Sequence, residues 1–277
     1  MPAAASAISP SPAPLPRARG RARLSCRGLD RGTGIGELQT QGCVKLLFPR
    51  PRSPMLEAVA INTSGGITGG DELSYSYTAG PRAQLSLTTQ AAERAYRASS
   101  GTARIETRLE AGEGATLFWL PQEMILFEGA SLDRRLHCDL APDARLLLVE
   151  PLVFGRRLMG ERLLTGSLSD RIEIDRDGAP LYRDRLRLAT GLDAHPRGEA
   201  LTLGHRAMAS LVYVAPDAEA RLGALRAGLP DHAGASLLAP DTLVARLLGA
   251  DGYELRRALH PALELLAGAP LPAVWRT

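Results

Sequence analysis

Short stretches in which apolar and polar residues alternate recur along most of the chain. Leu73 to Thr78 alternates with a period of two residues, as do the segments 103–109 and 171–175. Two further runs, 116–120 and 145–149, are almost continuously apolar. Alternation is typical of half-buried β-strands, and short apolar runs are typical of strands buried on both faces. The pattern predicts an all-β fold of many short strands with turn residues between them.

Two segments near the C-terminus have a helical pattern instead. Pro216 to Arg226 begins with acidic residues and ends with arginine, the charge order that a helix dipole favours. Tyr253 to Ala267 places leucines on one face at helical spacing, and Asp251 precedes it as a predicted N-cap. The intervening residues 235–248 again have a strand pattern. We therefore expect two α-helices near the C-terminus of a mostly β protein.

The first residues of the chain differ in composition from the rest. Residues 1–20 contain five prolines, with many alanines and few other apolar side chains. Such a segment buries too little apolar surface to offset the entropy lost on ordering, so we predict a disordered extension. The remaining residues, 21–277, need no internal boundary, and 45% hydrophobic residues in the chain suffice for one core. A single domain is expected there.

Charge and cysteine content argue against several classes of function. The chain has 33 basic and 30 acidic residues, a net charge of +3, and the arginines are interspersed with acidic residues, so nucleic-acid binding is not expected. Cys26, Cys43 and Cys138 form no Cys-x-x-Cys pair, which is typical of a protein in the reducing cytoplasm. Apolar runs all fall short of the roughly 18 residues that a membrane helix requires, so membrane association is not expected either.

The segment Asn62 to Asp71 is unusually rich in glycine. Its glycines are Gly65, Gly66, Gly69 and Gly70. Positive φ angles or close backbone approach are expected at such positions. A phosphate-binding loop requires a lysine after its last glycine, but Asp71 and Glu72 follow here, and the next residues predict a strand. A tight corner between strands is favoured, and an enzyme or binding protein that uses this loop for a nucleotide or sugar ligand is the alternative.

The residue types and spacings that catalysis requires are not recognisable in the sequence. The five histidines include no pair at metal-binding spacing. His137 and Cys138 are adjacent, but neighbouring side chains of a strand point to opposite faces. The chain also lacks a Gly-x-Ser-x-Gly nucleophile motif. These absences favour a protein that is not an enzyme.

Several carboxylates lie in or beside apolar strand segments, where a charge is seldom left unpaired. They are Asp71, Glu123, Glu150, Glu161 and Asp184. In one interpretation each carboxylate pairs with one of the many arginines. In the other, several of them converge, and their oxygens bind or conduct a divalent cation. The residues alone leave both interpretations open.

Several sequence blocks, taken in order, resemble the urease accessory protein UreD, which is called UreH in some lineages. They are Asn62 to Leu73, Thr88 to Arg97, Trp119 to Ala130, Glu150 to Arg156, Met159 to Glu161, Gly234 to Leu237 and Val274 to Arg276. The resemblance covers roughly residues 20–277. It implies a β-helix-like stack of strands and a non-catalytic function in delivering nickel to the urease active site. The implied partners are the urease apoenzyme, UreF and, through UreF, UreG.

The resemblance also suggests roles for individual residues. It implies no tightly bound cofactor, but transient Ni²⁺ in a passage through the protein. A passing cation needs oxygen ligands that replace part of its hydration shell yet release it again. Asp71, Glu150 and Asp184 are expected to contact the metal, and Thr88, Thr89, Gln90, Glu123 and Glu161 to line the passage. Arg94, Tyr96 and Arg97 are expected to bind a partner protein, with an Arg–Tyr stack inside the sheet as the alternative.

Overall fold

The alternating segments form the coils of a β-solenoid of about four turns. This computed structural model describes residues 16–49, 54–156, 159–195 and 198–276. The all-β prediction is therefore confirmed, as is the prediction of a β-helix-like stack. The predicted disordered extension, residues 1–20, lies largely outside the described residues, and the first strand begins at Arg19.

The first strands and the coils that follow them span the N-terminal two thirds of the chain. The strands are β1 Arg19–Gly28, β2 Thr33–Gly42, β3 Val44–Leu47, β4 Leu56–Asn62, β5 Glu72–Ala79, β6 Gln84–Thr89, β7 Glu93–Ala95, β8 Ala103–Ala111, β9 Thr116–Leu120, β10 Met124–Leu126, β11 Ser131–Leu140, β12 Arg145–Phe154, β13 Ser167–Arg176 and β14 Ala179–Leu188. The C-terminal part contains α1 Gly198–Thr202, β15 Ala207–Val214, α2 Ala218–Gly228, β16 Gly234–Ala239, β17 Thr242–Gly249 and α3 Gly252–Ala267. Short 3₁₀ turns lie at Leu192–Ala194 and Ala273–Trp275.

Two sheets face each other across the interior of the solenoid. The first sheet has the strand order β14-β13-β11-β8-β5-β1-β2, and the second has β16-β17-β15-β12-β9-β6-β4-β3. Successive coils pair in parallel, as β5 with β8 and β8 with β11 do in the first sheet. Parallel neighbours need a crossover connection, and here the strand of the opposite sheet provides it. Each coil therefore contributes one strand to each sheet.

The coils stack in register, so equivalent inward positions form columns across the first sheet. Tyr77, Leu109, Cys138 and Ile174 are aligned on four neighbouring strands. All four side chains are buried in one apolar cluster that fills the solenoid. Alternation along each strand thus decides which residues enter this core.

The glycine-rich segment forms the corner between β4 and β5. Gly65, Gly66 and Gly70 have φ angles of 77°, 141° and 90°, the conformations that the sequence suggested. A Cβ atom on Gly66 would lie 2.4 Å from the Tyr96 ring and 2.8 Å from the Arg94 carbonyl oxygen. The corner therefore depends on close approach to the next coil.

The two predicted helices, α2 and α3, cover the outer face of the second sheet. Leu147, Val149 and Leu211 on that face belong to a second apolar cluster that includes Leu259 of α3. Asp251 caps α3 as predicted, accepting a hydrogen bond from the Glu254 backbone N–H at 2.9 Å. The domain therefore has an interior core and a helix-covered core.

Besides the three-residue β7, three strands are not apparent in the sequence pattern. β11 carries charges on both faces, so its alternation is hidden, and β15 is buried at every position. β2 is exposed along most of its length. No helix among the described residues is long and apolar enough to span a bilayer.

Candidate functional site

Charged side chains lie inside the solenoid, among apolar neighbours. Arg134 alternates with the buried Leu132 and Leu136 on β11, and it is paired in register with Asp170 on β13. Glu150 faces the same interior from β12 in the opposite sheet. The exposed fractions of Arg134, Glu150 and Asp170 are 7%, 5% and 7%. Buried charges require partners, because water no longer solvates them.

These charges form one hydrogen-bonded group. Arg134 donates to Asp170 through Nε at 2.8 Å and Nη2 at 2.7 Å. Its Nη1 lies 2.5 Å from Glu150 Oε2. Trp119 Nε1 donates to Glu150 Oε1 at 2.6 Å. The guanidinium therefore links two carboxylates from opposite sheets, and the indole fixes the orientation of one of them.

Burial and charge affect the acid–base properties of this group. Desolvation raises the pKa of Glu150, and Asp170 adds to that effect, while the Arg134 guanidinium and the Trp119 N–H oppose it. Burial by itself would lower the pKa of Arg134, but Asp170 and Glu150 raise it overall. Arg134 therefore stays charged, and Glu150 accepts a proton more readily than a solvated glutamate.

A second polar group continues this arrangement. Asp184 on β14 accepts hydrogen bonds from Ser210 Oγ at 3.0 Å and from Arg246 Nη2 at 2.6 Å. Ser210 lies directly opposite Glu150 on the neighbouring strand, and Arg246 lies opposite Ser210. Directly opposed antiparallel residues have Cβ atoms about 5 Å apart. We call the set Arg134, Glu150, Asp170, Asp184, Ser210 and Arg246 the interior polar line.

Asp71 forms its hydrogen bonds with residues outside the interior polar line. It is 5% exposed. Its Oδ1 accepts from the Ala18 N–H and its Oδ2 from the Thr68 N–H, both at 2.8 Å. The carboxylate thus closes the glycine-rich corner and holds the segment that leads into β1.

The glycine-rich corner is occupied by contacts within the chain. The Ile67 N–H donates to the Arg94 carbonyl at 2.8 Å. The Ser64 N–H donates to Asn62 Oδ1 at 3.0 Å. These two N–H groups are therefore engaged within the chain, which speaks against the nucleotide alternative.

The predicted passage-lining residues Thr88, Thr89 and Gln90 have different surroundings. Thr88 is buried on the helix-covered side of the second sheet, and its hydroxyl donates to the Leu120 carbonyl at 2.7 Å. Thr89 Oγ1 accepts from the Gln122 N–H at 2.9 Å, and Gln90 is exposed. None of these contacts joins the interior polar line.

Glu123 and Glu161 pair with arginines. Glu123 lies 3.2 Å from Arg256 of α3. Glu161 lies 3.1 Å from Arg156 and accepts from the Glu128 N–H at 3.3 Å. Burial alone would raise the pKa of Glu161, but its hydrogen bonds and Arg156 lower it. Glu123 and Glu161, like Glu150 and Asp184, therefore pair with arginines, which was the first of the two interpretations of the sequence.

The predicted partner-binding residues lie together at the surface. Arg94, Tyr96 and Arg97 are exposed. The Tyr96 ring packs edge-on against Phe127 with centroids 5.1 Å apart, and Arg156 lies 4.6 Å above the Phe127 ring. The structure therefore places arginine on phenylalanine, with the tyrosine beside it. We call these five residues the arginine–aromatic patch.

Sequence reasoning identified Glu150 and Asp184 but missed their partners Arg134, Asp170, Ser210 and Arg246. The sequence contains one signal for Arg134 and Asp170. Arg134 and Asp170 each occupy the apolar phase of an alternating strand, where a charge implies a buried partner.

Two groups of side chains among the described residues have ligand atoms close enough to share a metal ion. They are His205, His232 and Glu254, and His137, Asp139 and Asp175. Neither includes Asp71, Glu150 or Asp184. Sequence spacing did not reveal them, because each group is completed across different elements, although His137 and Asp139 share β11.

A groove of about 1010 Å³ is lined mainly by apolar side chains. It lies between the outer face of the second sheet and the C-terminal segment, with Phe118 on one side and Leu271 on the other. Glu57 lies in it, and burial raises its pKa while Arg276 opposes the shift. The groove is separate from the interior polar line.

Comparisons with known proteins agree with the sequence blocks. A family model described as UreD urease accessory protein matches residues 18–276. The UreD urease accessory proteins of Roseobacter denitrificans and Ruegeria pomeroyi are 49% and 50% identical to the chain, over 92% and 91% of it and 93% and 96% of the relatives. That of Sinorhizobium medicae is 43% identical over 98% of this chain and 99% of its own. The resemblance and the expected non-catalytic accessory role in urease maturation are confirmed. The chain belongs to the UreD family of urease accessory proteins.

Proposed function

We propose that this chain is a cytoplasmic scaffold that binds the urease apoenzyme, recruits UreF and, through UreF, UreG, and helps nickel reach the urease active site. Family membership over nearly the full length is the observation that carries this proposal. Nickel is a cargo in transit here, so no tightly bound cofactor is required.

The interior polar line supports a passage for that cargo. It contains three carboxylates and two guanidinium groups, so it is formally negative by one charge when all are ionised. A divalent cation gains carboxylate oxygens there in exchange for part of its hydration shell. Because Arg134 and Arg246 already hold those carboxylates, the cation competes with them and binds weakly. Weak binding is what transit requires.

A role in the passage remains a prediction for Asp71, Thr88, Thr89, Gln90, Glu123 and Glu161. A cation at Asp71 would have to displace two backbone N–H donors. Glu123 and Glu161 would have to exchange an arginine for the metal. We therefore expect Glu150 and Asp184 to contribute most to transit.

The arginine–aromatic patch supports a protein contact at the corner of the coils. Arginine and tyrosine are enriched at protein interfaces, where a rigid aromatic ring buries area at low entropic cost. Tyr96 is held by Phe127 and by a hydrogen bond from its hydroxyl to the Gly65 carbonyl at 3.3 Å. We propose that urease or UreF binds here.

The function is tested by expressing the urease subunits and the other accessory proteins with and without this chain. Omission is expected to abolish urease activity and nickel incorporation, and the chain is expected to co-purify with apo-urease and UreF. Normal urease maturation without the chain would refute the proposal.

The passage is tested separately with Glu150→Gln and Asp184→Asn. Both are expected to lower the nickel content of urease while the accessory complex still assembles. Asp133→Asn is the matched control, because Asp133 lies beside Arg134 on β11 and pairs with Arg135 on the solvent-facing side. Full nickel loading by the double variant would refute the passage. Tyr96→Ala should instead reduce co-purification, which distinguishes a lost contact from a blocked passage.

A further inference from the structure

The group His205, His232 and Glu254 lies outside the interior polar line and has no role in the proposed passage. One nitrogen of each imidazole and one carboxylate oxygen lie within 4.8 Å of one another. We propose that these three residues form a surface site for a borderline divalent transition-metal ion, Ni²⁺ or Zn²⁺.

Three separate elements hold the ligands in place. His205 follows α1, and its N–H donates to the Thr202 carbonyl at 2.8 Å. His232 lies in the turn closed by the hydrogen bond from the Ala233 N–H to the Pro230 carbonyl at 2.9 Å. Glu254 is in the first turn of α3. The imidazole rings stack with centroids 4.5 Å apart. The site is thus assembled by the fold before any metal arrives.

His232 provides an independent indication of a ligand. Its Nε2 atom is buried and has no hydrogen-bond partner among the described residues. A buried polar atom without a partner is unfavourable, and such atoms in native proteins commonly mark an ion or a water. A metal ion bound through Nε2 would give this ring nitrogen a partner.

The donor set selects the class of metal. Imidazole nitrogen suits Zn²⁺ and Ni²⁺, whereas Mg²⁺ and Ca²⁺ prefer sites made of oxygen atoms alone. Three protein ligands leave coordination positions for water or for a side chain of a bound protein. The N-terminus of α3 disfavours a cation, but the carboxylates of Asp251 and Glu254 lie in that same turn and offset the helix dipole.

The site is tested by titrating the full chain, without a histidine tag, with Ni²⁺, Zn²⁺ and Mg²⁺ in a calorimeter. One equivalent of Ni²⁺ or Zn²⁺ is expected at this site, and Mg²⁺ is expected not to compete. His205→Ala and His232→Ala should each weaken binding by about tenfold or more. Glu254→Gln should weaken it less, and it retains an oxygen that can accept from the Ala250 N–H.

A matched control is available in the same helix as Glu254. His260 and Glu264 lie one turn apart on α3, with Nδ1 and Oε2 3.7 Å apart. His260→Ala and Glu264→Gln are expected to leave the affinity unchanged. The passage is read from the nickel content of urease and this site from metal binding to the isolated chain, so failure of one is distinguishable from failure of the other.

A second readout uses the wild-type chain and needs no variant to fold. Ni²⁺ should protect His205 from diethyl pyrocarbonate, read by peptide mass spectrometry, while His260 reacts as before. Equal labelling with and without Ni²⁺, or undiminished affinity in the His205→Ala/His232→Ala double variant, would overturn the proposal.

Discussion

Replacing Arg134 by methionine tests how the interior charges are held. The substitution keeps an unbranched side chain of similar length in the core but removes the guanidinium. Asp170 then loses two hydrogen bonds and Glu150 loses its contact at 2.5 Å. Both carboxylates stay buried, and the interior charge of this group changes from one negative to two.

The expected loss is large relative to the stability of a domain. Removing one partner of a buried ion pair costs about 3–5 kcal/mol. Globular domains have free energies of unfolding of about 5–15 kcal/mol. The group contains two such carboxylates, but protonation of Glu150, whose pKa is already raised, relieves part of the repulsion. We therefore expect a decrease of about 3–5 kcal/mol for the pair together.

Urea denaturation at neutral pH measures this decrease. Arg135→Met is the control, because Arg135 is the next residue on β11 but is exposed, and we expect no measurable change. The triple variant Arg134→Met/Glu150→Gln/Asp170→Leu removes every charge and keeps an acceptor for Trp119. It should recover about half of the loss or more.

Two results would refute this reasoning. A decrease below about 1 kcal/mol for Arg134→Met is the size of an ordinary substitution, and it would mean that the carboxylates do not depend on the guanidinium. A triple variant as unstable as Arg134→Met would assign the loss to packing rather than to unpaired charge.

Three further predictions concern pH, the glycine corner and the α3 cap. Because the pKa of Glu150 is raised in the fold, its contribution to stability is fully present below the unfolded value of about 4.3 and is lost as pH rises through the folded value. In thermal melts, Glu150→Gln should therefore gain stability relative to wild type as pH rises above about 4.3. Gly66→Ala should lower the free energy of unfolding by about 1–3 kcal/mol, since its Cβ meets Tyr96, whereas Gly223→Ala in α2, where the space is open, should raise it by about 0.5–1 kcal/mol; equal effects would contradict the corner geometry. Asp251→Ala should cost about 1 kcal/mol in urea denaturation, and an unchanged midpoint would show that the cap is dispensable.

Local patterns determined much of the secondary structure. The alternation in β5 and β8 and the leucine face of α3 depend only on residues close in sequence, and those predictions are confirmed. β11 was missed because Arg134 occupies an inward position, where a charge conceals the apolar phase. The same charge holds Glu150 and Asp170 in the interior polar line. A local pattern fails to reveal a strand when a buried charge in it is stabilised by a partner that is distant in the sequence.

The sequence by itself determined the family, the all-β class and the identity of Glu150 and Asp184 as carboxylates in apolar surroundings. Only the tertiary structure decided what each carboxylate contacts. Arg134 and Asp170 are 36 residues apart and meet because successive coils stack in register. Strand period fixes which face a side chain occupies, but the packing of the whole solenoid fixes which faces meet. For this reason Thr88, in a matching sequence block, lies on the helix-covered side, while Glu150 lies inside.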